Sequence, residues 1–575
     1  MIMKTRGIYV SLFIILTLTL SFINGCSSKS DSPSSAKAIT AFSLNGVAGT
    51  INETAKTITV AVPSLTNVYS LVATFTTTGS AVTIGTTKQT SGSTINNFIA
   101  PVAYTVTAAD GSTVTYTVTV TINRAWHNSA SYINPGGTYA GSPQVAMDNN
   151  GNAIIVWQQS DGAYEQIFKS EYRGGIWTSP ANLTDNISPD GTGAWYPQVA
   201  MDNNSNAIIV WQQSNGTNYH IFKSEYRGGV WTNPANLTDN ISPNGQDATY
   251  PQVAMDKNGN AIIVWQQSNG TNYHIFKSEY RGGVWTNPAN LTDNISPNGQ
   301  DATYPQVAMD NNGNAIIVWQ QSDGANYQIF KSEYRGGVWT NPASLANKIS
   351  PSGQDAYTPY VAMDNNGNAI IVWQQNDGVN YQIFKSEYRS GIWTNPANLT
   401  DNISPDGTNA WSPQVAMDNN GNAVIAWYQY DGANFQVFKS EYRGGVWTNP
   451  ANLSDHISPN GGALSTIVSP MGFSTIRVAM DNNGNTIITW FLSEWVETLS
   501  EPDSQTWESF SFIFKSEYRG GVWHNPAVSD AISGGSDAWS PQVAMDNNGN
   551  AIIVWMQDFY NEGLLSEMIF KSEYR

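Results

Sequence analysis

Residues 142–189 read SPQVAMDNNGNAIIVWQQSDGAYEQIFKSEYRGGIWTSPANLTDNISP, and the same text returns along the chain. Its VAMD tetrapeptide begins at Val145, Val199, Val253, Val307, Val361, Val415, Val478 and Val543. The first six copies lie 54 residues apart, and the last two intervals are 63 and 65. A fixed period of this length marks a solenoid, a propeller or an array, in which one small unit is stacked on copies of itself.

Each copy has the pattern of four short strands: PQVAMD, AIIVWQQ, QIFKSEYR and VWTNPANL or its variants. The second is apolar on both faces, as a strand covered on both sides must be. The breaks are turn chemistry: D-N-N-G-N, then S-D-G or S-N-G, then Gly-Gly, then a long loop of Asn, Asp, Ser, Pro and Gly. No 3.6-residue apolar period survives these turns, which excludes an α-solenoid. Four strands per repeat of this size fit a propeller blade. The expected fold is all-β: an eight-bladed β-propeller of four-stranded blades over 123–575, behind a smaller β module.

The ends of the array suggest how the ring closes. The eighth copy stops at Tyr574-Arg575, inside KSEYR, where the other copies continue into a Trp-bearing strand. That strand occurs at the other end of the array as Arg124-Ala125-Trp126-His127-Asn128, matching Val522-Trp523-His524-Asn525. Residues 124–133 are expected to complete blade 8 as an N-terminal latch strand, which removes a bare sheet edge.

The chain has 575 residues, enough for two domains. Its net charge of −18 argues against a nucleic-acid backbone as partner. Residues 1–25 read as a signal peptide, with Lys4 and Arg6 ahead of the apolar run Ile8–Ile23. The single cysteine, Cys26, follows Ile23-Asn24-Gly25. This stretch resembles a bacterial lipobox, which implies that Cys26 becomes a lipidated N-terminus held at the membrane by acyl chains. Ser27 follows where the inner-membrane retention signal of such lipoproteins has Asp, which implies the outer membrane. Residues 26–37, rich in Ser, form a tether.

Residues 38–122 are rich in Thr and Val, with the alternation of half-buried strands in Lys56–Val62 and Thr113–Thr121 and a hairpin turn at Asp110-Gly111. On ITAFSLNGVAGTI, TITVAVP and YTVTAADGSTVTYTVTV, this segment resembles the Ig-like or cadherin-like β-sandwich modules of bacterial surface proteins. The resemblance implies a spacer.

Repeats compared within one chain separate blade-building residues from site candidates. The D-N-N-G-N segment reads as a hairpin turn, with Asn-Gly at positive φ and Asp bonding local amides; Lys257 and Ser205 interrupt it, and no glutamate follows at calcium-loop spacing. It partly resembles the Asp-box of sialidase-like propellers. A sialidase also needs three separate arginines, whereas within the blades Arg173 and its seven equivalents are one repeated position and only Arg477 lies off it, apart from Arg124 in the latch. Lys169, Glu171 and Arg173 share a strand face in every blade and read as an ion-pair ladder. The five histidines do not converge as zinc ligands. No metal, cofactor or catalytic motif is expected.

The loop face remains. Blade-joining loops and the loops between second and third strands are expected on one face. The blade-joining loops end in aromatics, Trp195-Tyr196, Tyr250, Tyr304, Tyr357, Trp411 and Trp539, which should rim the central channel and suit sugar stacking. Blade 7 breaks the pattern with a long loop over Ser454–Ile476, a second loop over 491–512 carrying Trp495 and Trp507, and Arg477 where other blades have Gln. Blade 8 adds Asp558–Met568.

The expected function is a monomeric cell-surface lipoprotein that binds a glycan, another extracellular polymer or a protein partner. Its ligand contacts are expected at Arg477, Trp495, Trp507 and the rim aromatics. The alternative is a glycan-active hydrolase with paired carboxylates among Glu494, Glu497, Glu501, Asp503 and Glu508.

Overall fold

The computed structural model describes residues 32–575 apart from 64, 65, 67, 130, 137, 460–475, 502, 503, 535, 536, 562 and 563; the side chains of 493–510 and 560–565 are likewise outside the described part. The predicted signal peptide, Cys26 and the start of the tether lie outside it. Two compact units appear, one ending at Thr121 and the other formed by Ile122–Arg575 with Pro63–Asn67.

The first unit is built from a four-stranded and a six-stranded sheet. Strict alternation in Thr57–Pro63 buries Ile58, Val60 and Val62 and exposes Thr59 and Ala61 between them. Phe42 of one sheet meets Tyr104 of the other edge-to-face at 5.3 Å, so the sheets pack as a sandwich. At the hairpin, Asp110 Oδ1 accepts the Ser112 amide at 2.9 Å and Gly111 takes φ +84°.

The second unit is eight four-stranded antiparallel sheets arranged as the blades of a propeller. In blade 2 the strands are Ala194–Met201, Ala207–Ser214, Tyr219–Arg227 and Val230–Thr232. The second strand is buried from Ala207 to Gln213, because each face meets another apolar layer. Ile154, Val156 and Ile167 of blade 1 pack on Ile209, Trp211 and Phe222 of blade 2. Full burial of such side chains is worth about 1.5–3 kcal/mol apiece, so the core of the ring sits in its joints.

The Lys-Glu-Arg face of the third strand clamps each joint from outside. Glu171 is held between Lys169 and Arg173, with Arg173 Nε at 2.8 Å. Across the joint, Trp231 Nε1 donates to Glu171 Oε1 at 2.7 Å, and Arg173 Nη1 donates to the Ser205 carbonyl at 3.2 Å. The Arg173 guanidinium lies 3.9 Å over the Tyr226 ring, and the Lys169 ammonium 4.6 Å over Trp231. The expected ladder is thus an inter-blade clasp.

The eighth blade is composed from both ends of the array. Trp126–Asn128 pairs antiparallel with the third strand of blade 8, Trp126 opposite Tyr574 and Asn128 opposite Ser572. Ile133 N and Asn134 Oδ1 continue the contact at Ile569, each at 2.9 Å. Blade 8 then clasps blade 1: Arg575 Nη1 donates to the Gly151 carbonyl at 3.1 Å, and Trp177 Nε1 donates to Glu573 at 2.8 Å.

Candidate functional site

One local distortion decides what each blade presents to the central channel. In blade 2, Trp195 pairs with Gln212 and Gln198 with Val210, so Tyr196 and Pro197 together oppose Trp211. Proline has no amide hydrogen to keep the ladder, and the strand bulges there. Tyr196, Tyr250 and Tyr304 each take φ +55°; Ser142 and Thr358 take +52°, Ser412 and Ser540 +53°. A non-glycine residue held in this region costs on the order of 1–3 kcal/mol and needs support from its surroundings. The preceding blade gives it: the amides of Tyr196, Tyr250 and Tyr304 donate to Oε1 of Gln158, Gln212 and Gln266 at 3.1, 3.0 and 2.9 Å.

The bulge sends neighbouring side chains in different directions. Trp195 turns into its own blade and packs on Tyr219 at 5.6 Å, while Tyr196 lines the mouth of the channel. Tyr196, Tyr250 and Tyr304 form a continuous arc, with successive ring centroids 5.5 Å apart and planes tilted by 30° and 43°. Burial and the neighbouring phenols push the Tyr250 and Tyr304 hydroxyls up, so both stay neutral donors near neutrality. Gln144, Gln198, Gln252, Gln306 and Gln542 also face this cavity of about 160 Å³, with Ser142 and Ser540. Tyr360 and Arg477 line it from the corresponding position in blades 5 and 7. The opposite mouth is lined by Ala146, Met147 and their equivalents from the other seven blades, so the two ends of the channel differ in polarity.

Arg477 Nε donates to Gln542 Oε1 at 2.7 Å and Nη1 to the Ile476 carbonyl at 2.9 Å. Blades 3 and 7 lie four places apart in a ring of eight, so Arg477 faces Tyr250 across the channel.

The expected rim therefore divides. Tyr196, Tyr250, Tyr304 and Arg477 come together at the mouth. Trp195, Tyr357, Trp411 and Trp539 do not line it, which corrects the expectation that all of these aromatics rim the channel. Tyr357 packs on Tyr327 at 5.2 Å, Trp411 on Phe435 at 5.4 Å, and Trp539 against the core between blades 8 and 1. They sit one residue before the bulge position, or at a position that faces the blade. Residue-by-residue comparison of the repeats missed Tyr360, although its departure from the common Gln was as visible as that of Arg477.

The second loop expected in blade 7 is not a loop. Strands Thr486–Glu501 and Ser504–Arg519 run on as a paired ribbon, with Trp495 opposite Ser509 and Glu497 opposite Trp507. The side chains of Trp495, Trp507, Glu494 and Glu508 lie outside the described residues, as does Asp503 altogether. Blade 8 likewise extends its strands, Ala551–Asn561 and Leu564–Tyr574, in place of the added loop. Most of the long blade-joining loop of blade 7 also falls outside the described residues.

The repeated polar groups are tied into the blades. Asp148 Oδ1 accepts the amides of Asn150 and Asn152 at 2.9 and 2.8 Å, and Oδ2 accepts Asn152 Nδ2 at 2.8 Å. His220 Nδ1 lies 3.0 Å from Ser242 Oγ, and burial lowers its pKa.

Comparison with known proteins bears on the first unit. Residues 39–120 match the family model described as SGBP, N-terminal. That match spans the sandwich alone. No curated protein matches the chain. Solved structures of low similarity include a protein of unknown function from Dyadobacter fermentans, at 12% identity over 58% of this chain and 96% of that one, with TM-score 0.31. An endo-arabinase from Bacteroides thetaiotaomicron aligns at 13% identity over 47% and 99%, with TM-score 0.27. A GH93 α-L-arabinofuranosidase of Fusarium graminearum aligns at 12% over 52% and 92%, with TM-score 0.28. At these scores the likenesses say nothing about a site.

Proposed function

We propose that the protein is a cell-surface glycan-binding protein, with residues 38–122 as spacer, residues 123–575 as binding propeller, and Cys26 as the lipid attachment point. The observation that carries the glycan reading is the arc of Tyr196, Tyr250 and Tyr304 facing Arg477 across a channel mouth otherwise lined by Gln, Ser, Pro and Tyr360. Aromatic rings give a sugar an apolar surface, and the surrounding amides and hydroxyls give it hydrogen bonds. The match of residues 39–120 to the N-terminal part of surface glycan-binding proteins supports the same reading. The described lining of the mouth is Tyr, Gln, Ser, Pro and Arg477, groups that hold a sugar by stacking and hydrogen bonds, which favours binding.

A glycan array with the full chain, followed by calorimetry on each hit, tests this. The expected result is about one site per chain, with affinity lost in Tyr250→Ala. A blank array, or hits indifferent to Tyr250→Ala, would refute it. Product release from any hit would favour the hydrolase instead. Release of Cys26→Ser from the membrane fraction tests the anchor.

A further inference from the structure

We propose that the channel mouth is selective for an anionic sugar residue, carboxylated or sulfated, entering end-on, with Arg477 binding the oxyanion and the tyrosine arc covering the ring. This rests on the glycan-binding reading and narrows it.

The lining carries a single sign of charge. Among its described residues Arg477 is the one that is ionised; the rest are Tyr, Gln, Ser and Pro. Six other blades place Gln at the corresponding position, from Gln144 round to Gln542, and blade 5 places Tyr360. A neutral sugar is already served by that amide ring. A guanidinium adds a planar donor fork that matches the geometry of carboxylate or sulfate oxygens.

Arg477 is also oriented. Its hydrogen bonds to Gln542 and to the Ile476 carbonyl go to neutral oxygens and fix the plane of the guanidinium. The chain carries a net charge of −18, yet that does not turn an anion away from this site. Charges more than about 8 Å away are largely screened at physiological salt, whereas a contact inside the mouth is not.

Size and shape set the mode of entry. A space of about 160 Å³ is below the roughly 300–1,000 Å³ of sites that enclose drug-sized ligands, so it suits one terminal ring. With Tyr250 across from Arg477, one face of that ring meets aromatic carbon while a charged substituent points to the opposite wall. A uronic or sialic acid and a sulfated sugar share this chemistry, and the two sources separate in the test.

The test is calorimetry on the full chain with matched pairs: trigalacturonic acid beside galactotriose, sialyllactose beside lactose, and sulfated galactobiose beside galactobiose. At least one acidic member is expected to bind at one site per chain, about 10-fold or more tighter than its neutral partner. Arg477→Gln, which restores the residue of the other blades, is expected to abolish that preference. Tyr250→Ala is expected to weaken acidic and neutral members alike. Equal affinity within every pair, or a preference that survives Arg477→Gln, overturns the inference. Neutral binding that still depends on Tyr250 would in that case leave the glycan reading standing. Silence from every pair together with a blank array fells both. The carboxylated and sulfated arms identify which oxyanion is preferred.

Discussion

The indole nitrogen of Trp126 donates to Glu517 Oε1 at 2.6 Å, and the Lys515 ammonium lies 4.7 Å over the same indole. These are the contacts that Trp285 makes with Glu225 and Lys223 inside the ring. A residue ahead of the first blade thus occupies the fourth-strand position of the last.

Trp126→Ala should therefore cost as much as Trp285→Ala. Each loses a hydrogen bond to a carboxylate, a cation–π contact and half-buried ring area, together about 2–4 kcal/mol. Chemical denaturation followed by tryptophan fluorescence reads both. A latch variant that unfolds like the intact propeller would show that the ring does not depend on this strand.

The bulge predicts an effect at a distance from any ligand. Gln212→Leu removes the acceptor of the Tyr250 amide and leaves a half-buried N–H without its partner. Stability should fall by about 1–3 kcal/mol. Affinity for a bound glycan should fall as well, because Tyr250 is then free to leave its left-handed conformation. Unchanged affinity would separate the bulge from the site.

Stability should decline on both sides of mildly acidic pH, for opposite reasons. Burial pushes the eight clasp glutamates up, but the flanking Lys and Arg more than offset it, so Glu171, Glu225 and their equivalents end below the usual value of 4.5. Their contribution is complete above the unfolded value and is lost as pH falls through the folded one.

Glu567 runs the other way. Burial, and then the Asp558 charge, push it from 4.5 up to about 7, and its Oε2 is buried without a hydrogen-bond partner among the described residues. The folded state holds a proton that the unfolded chain has released, so stability falls as pH rises between those values. Allowing for solvent screening of a half-exposed group, the loss is about 1 kcal/mol. Glu567→Gln should flatten this limb in thermal melts and leave the acid limb unchanged; an identical profile would mean that Glu567 ionises normally.

None of the described residues that line the channel mouth lies on the extended part of the blade 7 ribbon, so the ribbon can be cut back as a test. Replacing residues 493–509 with Ser-Asp-Gly-Ala gives the turn length of the regular blades. The variant should melt close to the parent and keep one glycan site per chain by calorimetry. Loss of that site would move the binding residues onto the ribbon.

Much of the propeller was legible because its determinants are local. Alternation, Asn-Gly turns and a Trp-bearing strand displaced to the far end of the array are all visible in the text of one repeat. The site was less legible because it depends on a backbone angle. Trp195 and Tyr196 are adjacent and both aromatic, yet a positive φ before Pro197 separates their roles. The sequence displays an aromatic, Ser or Thr before each such proline but not the sign of that angle. The ribbon was misread for a different reason. The length of residues 491–512 argues for a loop, although the strands on either side simply continue, with partners opposite from Ser493 and Ser511 out to Leu499 and Gln505.

Donor and acceptor halves of the clasp ride on the same repeat: the Lys, Glu and Arg that reach forward, and the Tyr, Trp and turn carbonyl that are reached. Any copy would therefore fit any neighbour, as Val199–Gln252 and Val253–Gln306 illustrate by differing only at Asn203/Lys257 and Ser205/Gly259. Growth by tandem duplication then requires no new recognition chemistry between units. A ring with one unit more or fewer would need a different angle at every joint but the same residues in it. Diversification is left to the few positions that face the axis.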